Sequence, residues 1–241
     1  MRQRLRYGII LISFILMPAT FYYFSPYLII MGASQKVING SFIVFAFLFI
    51  LSLFIGRAFC GWLCPLAGNQ EACFKVNDKK VNNKYNWIRY IIWVPWIGII
   101  IYISVTAGGY ERVNFLYQTE YGISVTSLQA LTMYFLVVIL TIILSLSIGK
   151  RAVCHYVCWM SPFMIAGRKL RNFFKWPSLR LKAEKDKCKN CFKCTKVCPM
   201  SLDVNQMVKS ASMENPECIL CGSCVDNCPD NIIKYSFSRE R

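Results

Sequence analysis

Histidine is almost missing from this sequence, and its scarcity excludes one large class of redox protein. His155 is the only histidine among 241 residues. A bis-histidine membrane haem needs two imidazoles as axial ligands. A c-type haem is attached at a Cys-x-x-Cys-His motif, which the sequence lacks. We therefore expect this chain to hold no haem.

Nucleotide-binding loops and acidic residues are also scarce. No glycine-rich dinucleotide or phosphate motif occurs, so a nicotinamide nucleotide or ATP would have to be bound by a partner. The 12 acidic residues face 28 basic ones, for a net charge of +16. Such an excess suits nucleic acid or an anionic membrane surface. Because 56% of the residues are hydrophobic, we favour the membrane and expect no nucleic-acid partner.

Long apolar stretches are the first feature that the sequence does contain. Each is close to the roughly 20 residues that a helix needs to cross the hydrocarbon core. They cover residues 7–24, 41–56, 87–105 and 128–149. The pattern predicts an all-α membrane domain of four transmembrane helices over residues 1–175, in contact with membrane lipid.

The basic residues indicate the orientation of these helices. In the four-helix topology all of them except Lys36 and Arg112 fall on one side of the membrane. Cytoplasmic loops carry the excess of lysine and arginine. We therefore expect both termini in the cytoplasm, with a charged linker over residues 176–187 that leads to a small α+β domain over residues 188–241.

Thirteen cysteines are grouped in short runs. The tail contains Cys-x2-Cys-x2-Cys-x3-Cys-Pro twice, which is the bacterial ferredoxin run, and the fourth cysteine of each run binds the other cluster. Two [4Fe-4S] clusters are predicted on this rule, in a ferredoxin-like domain. The ligands of the first are Cys188, Cys191, Cys194 and Cys228. The ligands of the second are Cys198, Cys218, Cys221 and Cys224. A pair of zinc sites is the alternative, but zinc usually takes two Cys-x2-Cys pairs.

Two further cysteine pairs follow apolar stretches. Cys60 and Cys64 lie in GRAFCGWLCP, and Cys154 and Cys158 lie in KRAVCHYVCW. The shared order of small or basic residue, Arg, Ala and Cys-x3-Cys predicts an internal repeat of a two-helix unit. On a helix, residues i and i+4 share one face, so the four thiols are expected to converge. They are buried structural cysteines, or they form a third metal or redox centre.

These motifs together resemble the NapH/NosR/CcoG group of membrane polyferredoxins, and the layout is closest to NapH-type quinol dehydrogenase subunits. The stretch GRAFCGWLCPLAG is the most specific part of the resemblance. The resemblance implies four helices in the prokaryotic cytoplasmic membrane and clusters on the cytoplasmic side. It also implies an oxidoreductase subunit that takes part in quinol oxidation and passes electrons to a partner protein. The second pair lacks the proline that follows Cys64, and no outer flavin domain is expected.

Three functions remain open at this point. A relay would exchange electrons between the quinone pool and a redox partner protein, with His155 as a candidate hydrogen-bonding and proton-carrying group for the quinone. A metal-handling protein would use the helix-end thiols with Met160 and Met164, which are soft ligands that suit Cu(I). A non-catalytic anchor would hold a soluble redox enzyme at the membrane and conduct electrons to or from it.

Overall fold

The computed structural model describes residues 1–239, apart from the side chain of Lys75. Most of the described chain is helical. Residues 1–175, predicted to form the membrane domain, are called the membrane part below. They contain four longer helices, which are α1 (Arg2–Ile15), α4 (Gly40–Ile55), α7 (Ile88–Thr106) and α8 (Leu128–Ser147). The shorter helices of the membrane part are α2 (Met17–Thr20), α3 (Pro26–Ser34), α5 (Ala58–Trp62), α6 (Pro65–Ala72), α9 (Ala152–Tyr156) and α10 (Ser161–Phe173). Short 3-10 turns cover Phe21–Phe24, Cys73–Lys75 and Asn83–Tyr85.

The first apolar stretch is bent rather than straight. The chain turns by 60° between Arg2–Ile15 and Met17–Phe24. Pro18 sits in the first turn of α2, where it has no N–H to continue the hydrogen bonds of α1. Ser25 then caps α3 by accepting a hydrogen bond from Leu28 N–H.

Two helices within residues 1–239 are long and apolar enough to cross a membrane. They lie in the segment Asn83–Thr106 and in α8, and the bent α1–α2 pair would make a third. The helix α4 is apolar but has 16 residues, because Gly56 with φ +57° ends it. The prediction of four spans is therefore met in part by the structure.

A small sheet closes one end of the membrane part. Strand β1 (Val37–Asn39) pairs in parallel with β2 (Arg112–Asn114). The Lys36 ammonium lies 2.5 Å from the Glu111 carboxylate beside this sheet. These segments are the two connections that the charge pattern assigns to the outer side, and they lie together as one cap.

The tail folds as a ferredoxin-like domain that begins earlier than expected. Strand β3 (Ser178–Ala183) pairs antiparallel with β4 (Ile233–Ser238), with Leu181 opposite Tyr235. The segment predicted as a linker, residues 176–187, therefore contains an edge of this domain. Alternation in SLRLKA explains the strand, since Leu181 is buried while Lys182 is exposed. The remaining elements of the domain are a 3-10 turn (Lys185–Lys187), α11 (Lys193–Lys196), α12 (Val204–Lys209) and α13 (Ser223–Asp226).

This domain packs directly against the short helices that follow α4. The indole N–H of Trp62 donates to the carbonyl of Leu220 at 3.1 Å. A Cβ at Gly61 would lie 2.4 Å from the carbonyl oxygen of Ile219 and 3.4 Å from the Cα of Cys221. Only glycine allows the two backbones to approach this closely.

Replacing Gly61 with alanine is expected to lower the stability of the docked domain by about 1–3 kcal/mol, because the added methyl group meets backbone rather than a movable side chain. Thermal unfolding of the purified chain in detergent would show a reduced midpoint. Gly98→Ala in α7 is the matched control, since nothing lies within 4 Å of its Cβ position. An equal midpoint for both variants would contradict the close packing at Gly61.

Candidate redox centres

The eight tail cysteines form two groups, and each group lines its own small cavity. Cys188, Cys191, Cys194 and Cys228 line one cavity. The second is lined by another four cysteines, Cys198, Cys218, Cys221 and Cys224. These are the two sets that the sequence predicts for two [4Fe-4S] clusters, including the exchange of the fourth cysteine between runs.

The backbone has the same turns in both cysteine runs. Asn190 and Phe192 in the first run have positive φ, as do Leu220 and Gly222 at the matching places in the second. Gly222 has φ +80°, and a Cβ there would lie 2.7 Å from the Tyr235 hydroxyl oxygen. These left-handed turns curl each run around its cavity, which is the shape that three closely spaced ligands of one cluster require.

The two groups differ in solvent access. Cys191 of the first group is exposed, whereas Cys221 and Cys224 of the second are buried. Burial raises the pKa of Cys198 to about 12. Such a thiol is protonated at neutral pH, so binding of iron would have to displace the proton. The second group is therefore the interior one, and the first lies nearer to the exposed surface.

The four helix-end cysteines converge, although not in the way that a continuous helix would bring them together. Cys60 lies in α5 and Cys64 caps α6, while Cys154 lies in α9 and Cys158 follows it. The same kind of backbone turn ends at the second cysteine of each pair. The N–H of Cys64 donates to the carbonyl of Phe59 at 3.0 Å, and that of Cys158 to the carbonyl of Val153 at 2.8 Å.

The missing proline of the second motif is displaced rather than lost. Pro65 begins α6 directly after Cys64, and Pro162 occupies the first turn of α10 after Cys158. A proline is well placed at a helix start because its absent N–H would have no partner there. In both repeats a new helix therefore starts just beyond the second cysteine.

These four thiols lie where two hydrophobic cores meet. Cys60 and Cys154 belong to the core of the ferredoxin-like domain, together with Cys221. Cys64 and Cys158 belong to the core of the membrane part. Burial raises the pKa of Cys158 to about 12, and repulsion from Cys154 and Cys60 adds to the rise. The same effects raise the pKa of Cys64, as expected for sulfurs that form one group.

Four arginines surround this group, in two matching sets. Arg6 and Arg151 both bind Glu71, with the Arg6 nitrogens at 2.9 and 2.8 Å. Arg57 and Arg89 both bind Glu217, with Arg57 Nη1 at 2.8 Å. Arg57 and Arg151 occupy equivalent places in the two repeats, since each stands three residues before the first cysteine.

The guanidinium groups also contact the backbone of the cysteines. Arg151 Nη1 donates to the carbonyl of Cys60 at 2.6 Å, and Arg89 Nη1 to that of Cys154 at 3.4 Å. Burial alone would raise the pKa of Glu217, but Arg57 and Arg89 hold it at about 2. Four cations and two carboxylates leave an excess of positive charge around the thiols.

Several buried N–H groups in this shell have no hydrogen-bond partner among the described residues. They are Nε and Nη2 of Arg57, Nε of Arg89 and Nε of Arg151. A buried donor without an acceptor costs about 1–3 kcal/mol. Both the open donors and the excess positive charge suit an anionic group held by the thiols, such as an iron–sulfur cluster with four thiolates. The residues present therefore fit such a group.

His155 lies beside this shell and is completely buried, at 0% exposure. Its Nδ1 is 2.9 Å from Asn86 Oδ1, and Nε2 has no partner within the part of the chain that the structure describes. Burial and the nearby arginines, against the opposing effect of Glu217, lower the pKa of His155 to about 4. The imidazole is therefore neutral at pH 7. Its function as a quinone contact remains a prediction.

The sequence reasoning missed the arginine–glutamate groups. An arginine that follows an apolar run is expected to extend to the membrane interface, whereas the structure buries Arg57 completely, at 0% exposure. A signal was present, because the Arg-Ala-x-Cys pattern occurs in both repeats.

Within residues 1–239, no three His, Cys, Asp or Glu side chains are arranged to hold a single metal ion.

Comparison with known proteins gives the family. A model described as a 4Fe-4S binding domain matches residues 40–84 and 129–177, and one described as a 4Fe-4S dicluster domain matches residues 187–233. The first model thus matches each repeat with its helix-end cysteine pair, and the second matches the tail runs. No solved structure gives a significant match.

Relatives with similar sequences come from archaea and bacteria. The uncharacterized protein MJ0750 of Methanocaldococcus jannaschii is 26% identical, over 78% of this chain and 76% of its own. YccM of Escherichia coli, whose name refers to electron transport, is 23% identical over 84% and 57%. Ferredoxin-type protein NapH of Haemophilus influenzae is 25% identical over 82% and 67%. The chain belongs to the 4Fe-4S polyferredoxin family that includes NapH-type proteins, and it is an iron–sulfur electron-transfer protein.

Proposed function

We propose that this protein is a membrane-bound relay that passes single electrons between the quinone pool and a redox partner protein. In this proposal the chain crosses the prokaryotic cytoplasmic membrane four times, with both termini and the ferredoxin-like domain in the cytoplasm. The one-sided distribution of the basic residues supports this orientation. The apolar helices α7 and α8 support the spans.

Three iron–sulfur centres carry the relay in this proposal. The first is held by Cys188, Cys191, Cys194 and Cys228, and the second by Cys198, Cys218, Cys221 and Cys224. Cys60, Cys64, Cys154 and Cys158 hold the third. The single observation that carries the third centre is the ring of buried arginines with open N–H donors around those four thiols.

The packing supports an order for the three centres. Gly61, which follows Cys60, lies against the backbone of Cys221, so the helix-end site and the second centre are neighbours. The first centre ends the path at the exposed Cys191. Lys189 and Lys193 flank this cysteine, and their charge would steer an acidic redox protein to it.

The chain's own residues position and shield the path. Arg57, Arg89 and Glu217 tie the ferredoxin-like domain to the helix ends, and Trp62 adds a direct hydrogen bond. The clusters supply one-electron transfer when bound. Burial of the helix-end thiols excludes water from the step between the membrane and the domain.

The test uses the purified chain in lipid nanodiscs under anaerobic conditions. Added menaquinol or ubiquinol is expected to bleach the cluster absorbance, and the oxidised quinone is expected to restore it in chemically reduced protein. A cluster-loaded protein that responds to neither quinol nor quinone would contradict the exchange with the quinone pool.

A second function has one specific observation in its favour. The Cys60 sulfur lies 3.4 Å from the Met164 sulfur, and Met160 is also buried near the thiols. Thiolate and thioether ligands together suit Cu(I). Metal analysis after copper loading decides between the two functions, since metal handling predicts bound copper that disappears in Met164→Leu with iron unchanged.

A further inference from the structure

The membrane part contains one large cavity that neither the cysteine runs nor the arginine groups use. Its volume is about 620 Å³, which lies in the range of sites for small molecules and cofactors. Met17, Phe21, Leu28 and Val137 are among its mainly apolar walls. The cavity lies between the bent first helix, α3 and α8, so the 60° bend at Pro18 helps to create it.

The cavity ends at the helix-end thiols. Cys64, Pro65 and Leu66 line it on one side, and Trp159 and Met160, which follow Cys158, line it on the other. Cys64 is buried, at 4% exposure, and belongs to the membrane core rather than to the domain core. A molecule in the cavity would therefore approach the four thiols from the side opposite to the ferredoxin-like domain.

Polar groups are few. Tyr22, Ser25, Gln118 and Gln129 also line the cavity. Gln118 follows the cap of β1 and β2, and Gln129 begins α8. A few amide and hydroxyl groups in the lining of an apolar cavity suit a ligand with a few hydrogen-bonding oxygens on a flat, otherwise apolar body.

Access is from the lipid. Tyr27 and Met133, at 65% and 52% exposure, line the cavity and also reach the outer surface of the helices. Met133 and the exposed Leu136 are one helical turn apart on α8. A ligand that dissolves in the bilayer could enter between α3 and α8 without crossing the cap.

We infer that this cavity is a binding site for a lipid-soluble quinone, with its ring inside the cavity and its tail between α3 and α8. The inference rests on the proposed electron relay and assigns the membrane side of it to a place. His155 does not line the cavity, so this site is separate from the quinone contact predicted for that residue.

The redox step balances with the groups named. A quinol that becomes a quinone loses two electrons and two protons. The electrons leave one at a time to the one-electron centre proposed at Cys60, Cys64, Cys154 and Cys158. The protons leave to water at the end lined by Gln118 and Gln129, where both side chains are exposed. Reduction of a quinone takes the reverse course.

Binding is tested separately from electron transfer. The full chain in nanodiscs is titrated with decylubiquinone and with menadione, and the quenching of tryptophan fluorescence is measured. The same titration of Trp159→Phe is expected to show less quenching. Ala130→Phe fills the cavity, because the buried Ala130 lines it. Leu136→Phe on the same helix is the matched control, since Leu136 faces outward at 55% exposure. We expect Ala130→Phe to weaken binding by on the order of tenfold or more, and the control to leave it unchanged.

A second variant protects the test against misfolding. Met133→Trp narrows the entrance at an exposed position and is expected to weaken binding in the same sense. Equal binding in wild type, Ala130→Phe and Met133→Trp would overturn the site, as would displacement of the quinone by added phospholipid alone. If quinol still bleaches the clusters of these variants at the wild-type rate, the relay stands and this site is wrong. If binding is lost as expected while quinol never bleaches wild-type clusters, the site stands and the relay is wrong.

Discussion

Replacing Cys154 and Cys158 together with serine is expected to remove about 4 of about 12 irons per chain, because three cubane clusters hold four irons each. The ferredoxin-like domain should keep its two clusters, since its eight cysteines line separate cavities. Chemical reductants would still bleach those clusters, but quinol would not. Iron and sulfide analysis measures the count, and EPR of the reduced protein resolves the centres.

Cys73→Ser is the control for this double variant. Cys73 is also buried, at 8% exposure, but it follows α6 outside the group of four thiols. Its substitution should leave the iron content unchanged. A wild-type protein with about 8 irons, or a double variant with an unchanged count, would show that the helix-end thiols hold no cluster.

Replacing Glu217 with glutamine is expected to lower the free energy of unfolding of the docked domain by about 3–5 kcal/mol, because two buried arginines lose their shared counter-charge. Arg57 and Arg89 are 0% and 2% exposed, and the carboxylate they hold is ionised at neutral pH, since they keep its pKa at about 2. Thermal unfolding and limited proteolysis of the ferredoxin-like domain would both report the loss.

Asp226→Asn provides a control of the same kind at the surface. Asp226 also pairs an arginine of the membrane part with the ferredoxin-like domain, but Arg2 is 36% exposed at its side chain. An exposed ion pair contributes about 0–1 kcal/mol. If both substitutions cost the same, the buried position of Glu217 would have no special importance for docking.

The grouping of the tail cysteines could be predicted because their spacing is local. Three ligands within seven residues fix one side of a cluster, and a general rule exchanges the fourth between the runs. The structure groups the same residues. The convergence of Cys60 and Cys154 could also be predicted, from the repeated motif. The reason given for it was inexact, since each pair lies on a short helix and the turn after it rather than on one continuous helix.

The buried charges could not be predicted from the same reasoning. Hydropathy alone favours a surface position for Arg57, because an arginine next to an apolar run usually extends to the interface. Its burial depends on Glu217, which is distant in the sequence and arrives only when the ferredoxin-like domain folds back. Local patterns do not reveal which carboxylate meets which arginine. The strand at Ser178–Ala183 was missed because its charged residues suggested a linker, although its leucines alternate as a strand requires.

The closed position of the ferredoxin-like domain has a consequence for how the protein is made. The domain covers the helix-end thiols on one side, since Ile219 and Cys221 lie against the backbone of Gly61. On the other side the thiols meet the membrane core and its mainly apolar cavity, which does not suit the passage of an iron ion. Iron for the helix-end site therefore has to be delivered while the domain is still detached. Cofactor assembly and folding would then have a fixed order, with the membrane repeats loaded first and the carboxyl-terminal domain closing over them last.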